Sequence, residues 1–137
     1  MRVLGIVAIV LGLTLVGTSV LSANEKSRSP FSRSPADVAK DEPCRFMGTF
    51  HKESRRRIEA FLDCDAISLV EWKCMAEALK ALDDEMTLQC KQEPQSLDTI
   101  EARQGERYAA CLPPSSEELV QCSLLSSDWA CRERVCR

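Results

Sequence analysis

All eight cysteines of this chain, at positions 44, 64, 74, 90, 111, 122, 131 and 136, lie after residue 43. No two of them form a C-x-x-C pair and His51 is the only histidine, so the close ligand spacing of a zinc knuckle is missing. An even number of cysteines in an exported chain implies a disulfide framework instead. The N-terminus indicates export. "MRVLGIVAIVLGLTLVGTSVLSA", residues 1–23, carries a single charge at Arg2, a long apolar run, and then small residues with Val20 and Ser22 placed for cleavage. Those are the three parts of a secretory signal. Val3 to Ala23 is also just long enough to span a bilayer, so membrane contact is expected only through this segment, if it is uncleaved. The sequence thus predicts a secreted protein, extracellular or, in a bacterium, periplasmic.

Removal of the signal leaves about 114 residues, enough for one domain. Residues 24–43, "NEKSRSPFSRSPADVAKDEP", hold a tandem Ser-Arg-Ser-Pro at 27–30 and 32–35, with little that is apolar. They are read as a disordered arm or a propeptide. Asn24 is the only asparagine and begins no N-x-Ser/Thr sequon, which excludes N-glycosylation. The folded domain is expected over 44–137. A chain of this size buries a modest fraction of its surface, so covalent staples weigh heavily in its stability.

Helical periodicity runs through that domain. Residues 45–62 put Phe46, Met47, Phe50, Ile58, Phe61 and Leu62 on one face. Residues 66–90 form the clearest helix, with a stripe of Ile67, Val70, Cys74, Met75, Ala78, Leu79, Leu82 and Met86 opposite alternating Lys73, Glu77, Lys80 and Asp84. Ser68 with Glu71 fits a capping box at its start. Pro94 breaks the pattern, and Ser96 can cap a third helix over 97–112 whose buried positions are Leu97, Ile100, Tyr108, Cys111 and Leu112. Pro113 and Pro114 end it; Ser115 with Glu118 reads as a second capping box before a short helix, and Ser127 or Asp128 caps a last turn or two. Nothing alternates as a strand would. The expectation is an all-α, disulfide-stapled bundle of four to five helices.

If the second and third helices fold back on each other near residues 92–93, Cys74 and Cys111 come level, and Cys74–Cys111 is the natural bridge. The same reasoning around residues 64–67 brings Cys44 to Cys90. Cys64, Cys122, Cys131 and Cys136 are left to tie the C-terminal helices to the bundle, in an order that spacing does not decide. Cys64 and Cys74 form one C-x9-C, which resembles half of the coiled-coil–helix–coiled-coil–helix arrangement of mitochondrial intermembrane proteins. The second half is missing, since ten residues separate Cys111 from Cys122 and eight separate Cys122 from Cys131. The adjacent-cysteine and C-x-C patterns of plant lipid-transfer proteins are absent as well.

Catalytic groups are sparse. A serine or cysteine hydrolase needs a base beside its nucleophile, and His51 reads as an ordinary residue at the edge of an apolar face. Asp83, Asp84 and Glu85 are consecutive, so they point in different directions around a helix rather than pairing for glycosidase work. No phosphate or calcium loop appears. The chain is therefore read as a non-enzyme without cofactor, metal or nucleic-acid ligand. Charge is more informative. Residues 45–57 carry about +4, with Arg45, Lys52, Arg55, Arg56 and Arg57 against Glu53, whereas 59–106 carries about −8. The run Arg55–Arg57 also has the form of a processing site, although a surface helix accounts for it more simply. Lys52, Arg55, Arg56, Trp72 and Trp129 are the candidate contacts with an extracellular protein or receptor, in the manner of a toxin-like effector or a signal. Two other functions fit the composition: a carrier of a lipid or small hydrophobic ligand, and a structural component of an extracellular matrix or envelope.

Overall fold

The computed structural model describes residues 34–137, all of whose regular structure is helical. The signal segment and residues 24–33 of the arm lie outside the described residues. Six helices are present among the described residues: α1 (Pro35–Asp41), α2 (Met47–Asp63), α3 (Leu69–Gln92), α4 (Leu97–Cys111), α5 (Glu117–Ser123) and α6 (Ala130–Val135). Five of them fall within 44–137, in keeping with the bundle expected there. The first is a departure, because composition assigns residues 34–43 to the arm. Ser34 accepts a hydrogen bond from the Asp37 N–H, Pro35 occupies the first turn, and Ala39 is fully buried. The second Ser-Pro of the tandem is thus an N-cap followed by a first-turn proline, a helix start that resembles a linker in composition alone.

The long helices form an up-down-up layer in which α2 packs on α3 and α3 on α4. Their apolar stripes meet in one core: Phe50, Ile58 and Phe61 from α2, Met75, Leu79, Leu82 and Met86 from α3, and Ile100 and Tyr108 from α4. Burial of such side chains is worth about 1.5–3 kcal/mol each. Ser68 and Glu71 make the reciprocal capping box that starts α3, and Ser96 caps α4 through the Thr99 N–H. The short elements close the layer, with α1 lying on α2, α5 reaching both α4 and α2, and α6 on α5.

Two expectations are corrected. The stripe read for α3 buries Val70 and Cys74, but both are exposed, Val70 at 77% beside an exposed Leu69. Cys74 is tied to Cys111, the last residue of α4. The antiparallel first turn of α3 therefore extends beyond the end of its partner, with nothing of α4 opposite it. The second capping box fails too. Ser116 rather than Ser115 is the N-cap of α5 and its side chain caps nothing, while Glu118 reaches away to Arg134 at 3.1 Å.

Every cysteine is bridged: Cys44–Cys90, Cys74–Cys111, Cys64–Cys136 and Cys122–Cys131. The first two are the pairs that folding back of the long helices brings together. Cys64, at the end of α2, receives Cys136 from the chain terminus, and Cys122–Cys131 closes a small loop between α5 and α6. The three consecutive acids diverge as their spacing requires. Asp83 faces His51 at 4.0 Å, Asp84 pairs with Lys80 at 2.9 Å, and Glu85 binds Arg103 and Arg107 on α4.

Candidate functional site: an arginine and tryptophan recess

The basic run of α2 divides three ways. Arg55 turns toward α3, where it pairs with Glu59 at 3.0 Å and lies over the Trp72 ring at 5.5 Å. Trp72 is half-buried, and its indole N–H is enclosed without a partner. Lys52 is exposed and has no ion pair among the described residues. Arg56 is exposed on the side facing the chain terminus, and Arg57 turns inward. The candidate contacts Lys52, Arg55, Arg56, Trp72 and Trp129 do not form one patch. Arg55 and Trp72 belong to the α2–α3 seam, whereas Arg56 joins Trp129 across a recess between α1, α2 and α6.

Arg57 organises that recess, and the sequence did not single it out as a site residue. One terminal nitrogen donates to the Ser127 hydroxyl at 2.7 Å and the Cys122 carbonyl at 3.3 Å. The other donates to the carbonyls of Ser127 at 2.9 Å and Leu125 at 3.3 Å. A single buried guanidinium thus fixes the turn from α5 to α6, using the planar fork that lysine lacks. Burial pulls the Arg57 pKa below its ordinary value, and the charges of Glu101, Glu53 and Asp128 oppose that pull. Glu101, itself buried in α4, accepts the Ser126 N–H at 2.7 Å on the other side of the same turn. In sequence both residues look like members of solvated charge runs. The one available signal was their helical phase, which puts each among apolar neighbours.

The turn ends at Trp129, which is 49% exposed. Arg57 and Arg132 both hold their guanidinium carbons 5.3 Å from its ring centroid. Contacts of this kind contribute about 0.5–2 kcal/mol, more as they are desolvated. Ala36, Glu53, Arg56, Arg57, Trp129 and Arg132 enclose about 420 Å³. Three guanidinium groups face one carboxylate there, and neither Arg56 nor Arg132 has an ion pair among the described residues. Such a recess can hold an anion by charge-assisted, bidentate hydrogen bonds.

A second concavity lies between α4 and α5. It is an open groove of about 660 Å³, floored by Ala102, Gly105, Ala109, Val120 and Leu124 and edged by Asp98, Glu106 and Glu117. Gly105 leaves room over Val120, whose Cγ1 would sit 3.8 Å from an added Cβ. Among the described residues no cluster of three or more His, Cys, Asp or Glu side chains is arranged to hold a metal ion, and no helix is long and apolar enough to cross a membrane. No protein-family model, curated protein or solved structure matches this chain.

Proposed function

We propose that this chain is an exported, non-catalytic binding protein that docks a protein partner through the face carrying Lys52, Arg56, Trp129 and Arg132. The observation that carries this reading is the recess itself, in which an exposed tryptophan stands among arginines without ion-pair partners. Four disulfides and a small helical core are compatible with life outside the cell, where such bonds persist. They also hold the docking face in its bound shape before the partner arrives, which lowers the ordering cost of association. Tryptophan and arginine are the residue types that dominate binding energy at protein interfaces.

Capture on beads tests the reading. The oxidised full chain, immobilised and exposed to extracellular fluid of its source, should retain a partner that a Lys52→Glu/Trp129→Ala variant loses and a Lys80→Glu variant keeps. Lys80 lies on the solvent side of α3, paired only to Asp84. Equal capture by all three proteins would end the proposal. Accumulation of the chain in the medium, with no thiol open to alkylation before or after denaturation, tests export and cross-linking together.

The α4–α5 groove favours a second reading, carriage of a small apolar ligand. Its volume lies within the 300–1,000 Å³ range of small-molecule sites. Native mass spectrometry of protein taken from its source would then show a retained ligand. Ala102→Trp, which fills the groove from an exposed position, would remove it.

A further inference from the structure

We infer that the recess between α1, α2 and α6 receives the carboxylates of an acidic segment of the protein partner. This deepens the proposed function and rests on it. The ligand must be anionic. Arg57 spends its hydrogen bonds on one hydroxyl and three backbone carbonyls, so its positive charge meets no carboxylate in direct contact. Arg56 and Arg132 add two further cations, and Glu53 is the only acid among the lining residues. Concave walls of low dielectric strengthen the field of those charges. Trp129 does not serve as a cage for a cation, because Arg57 and Arg132 already occupy positions over its ring. Its part is to orient Arg132. A guanidinium held over an aromatic ring keeps its N–H donors available to grip a carboxylate with two parallel bonds.

Charge elsewhere on the molecule decides for a short acidic peptide over a sulfated polysaccharide. Residues 34–137 carry fourteen lysines and arginines against twenty aspartates and glutamates. A long polyanion that ran on past the basic part of α2 would cover a molecule that is acidic overall. A glutamate or aspartate cluster that enters and then turns away meets three arginines against the one carboxylate of Glu53. Ala36 and the exposed part of Trp129 offer apolar contact to the side-chain stems next to those carboxylates.

Titration of the ¹⁵N-labelled, oxidised chain with an acetylated hexa-glutamate peptide at low ionic strength tests the inference. The Trp129 indole and the Arg56, Arg57 and Arg132 side-chain signals should shift together and saturate, and added salt should reverse the shift. Arg56→Glu/Arg132→Glu should weaken the titration by about tenfold or more while leaving the backbone spectrum folded. Neither residue belongs to the core. Arg132→Lys, which keeps the charge and loses the planar fork, should fall between the two. Equal shifts from hexa-glutamine, an unchanged affinity in the double variant, or tighter binding of a heparin tetrasaccharide than of the peptide would each overturn it. The two ideas fail separately. If capture depends on Lys52 and Trp129 but hexa-glutamate shifts nothing, the docking face stands and its acidic ligand falls. If the peptide titrates and capture ignores both substitutions, the recess is an anion site outside the docking surface, and the partner assignment made here falls with the docking face.

Discussion

Between α2, α3 and α4 the core contacts are mostly apolar, and they run the length of each helix through Phe50, Ile58, Met75, Leu79, Leu82 and Ile100. From Leu112 onward the chain is only seven- and six-residue helices joined by turns, and beside the buried Leu119, Val120 and Leu125 it has anchors of another kind. Arg57 grips the turn at 122–127, Glu101 takes the Ser126 N–H, and Cys64–Cys136 ties down the terminus. Apolar stripes are non-directional, so they determine which faces meet and tolerate small rotations. Directional bonds determine where a turn points. The recess is built on the second kind of support, and Trp129 sits where it does because Arg57 holds the carbonyls of the residues just before it.

Removal of a staple from the C-terminal segment gives the largest expected effect. Cys64–Cys136 spans 72 residues and Cys122–Cys131 spans 9. On the chain-entropy account, loss of the longer bridge costs roughly 4 kcal/mol and loss of the shorter about 2.5 kcal/mol. Urea denaturation of Cys64→Ala/Cys136→Ala and Cys122→Ala/Cys131→Ala should therefore rank the two in that order. A reversed ranking would mean that the small loop, through the carbonyls it presents to Arg57, holds the segment more firmly than the terminal tie does.

Arg57→Met comes next. It preserves much of the volume and removes four hydrogen bonds, leaving the enclosed Leu125 carbonyl without a donor while the Cys122 carbonyl keeps only the Ser127 hydroxyl at 3.1 Å. An unsatisfied buried acceptor costs about 1–3 kcal/mol, so a loss of up to about 3 kcal/mol is expected. Leu79→Ala, in the middle of the apolar core, should cost about the same. Hydrogen exchange separates them. Arg57→Met should speed exchange in 112–137 and spare α2 to α4, whereas Leu79→Ala should loosen all three long helices. Uniform acceleration in both variants would erase the distinction between the two regions.

The same contrast explains what could be read from the sequence. Period-3.6 stripes located α2, α3 and α4 to within a few residues, and their lengths brought Cys44 to Cys90 and Cys74 to Cys111. The stripe failed at Val70, because its exposure depends on where α4 ends, and the phase of α3 alone carries no such information. Pairing of Cys64 with Cys136 was illegible for a related reason. It follows from the path of short helices whose direction is set by Arg57 and Glu101, and a charged side chain has the same letter whether it is solvated or buried. Of the candidate contacts, Arg56 and Trp129 meet at the recess, Lys52 lies exposed without an ion pair, and Arg55 and Trp72 belong to a separate seam.

The apolar part has polar contacts of its own, and the one between His51 and Asp83 gives the smallest effect. His51 Nδ1 of α2 lies 4.0 Å from Asp83 Oδ2 of α3, and the His51 Nδ1 and the second Asp83 oxygen are enclosed without hydrogen bonds. Burial raises the Asp83 pKa above its ordinary 3.8, the nearby His51 lowers it, and Asp84 raises it further. A carboxyl group whose folded pKa is raised binds its proton more tightly in the folded chain. Its contribution to stability is therefore greatest at acid pH and declines as pH climbs through the raised value. Asp83→Asn carries no proton to lose. Its stability relative to the wild type should improve between acid and neutral pH, by less than any loss expected above, read from denaturation midpoints at each pH. Parallel profiles would show that Asp83 is as well solvated folded as unfolded, and the seam between α2 and α3 would then be wetter than its enclosed atoms imply. A far larger gain would show that a buried charge, not the apolar stripe, limits the packing of the long helices, and the two halves of the molecule would differ less than their contacts suggest.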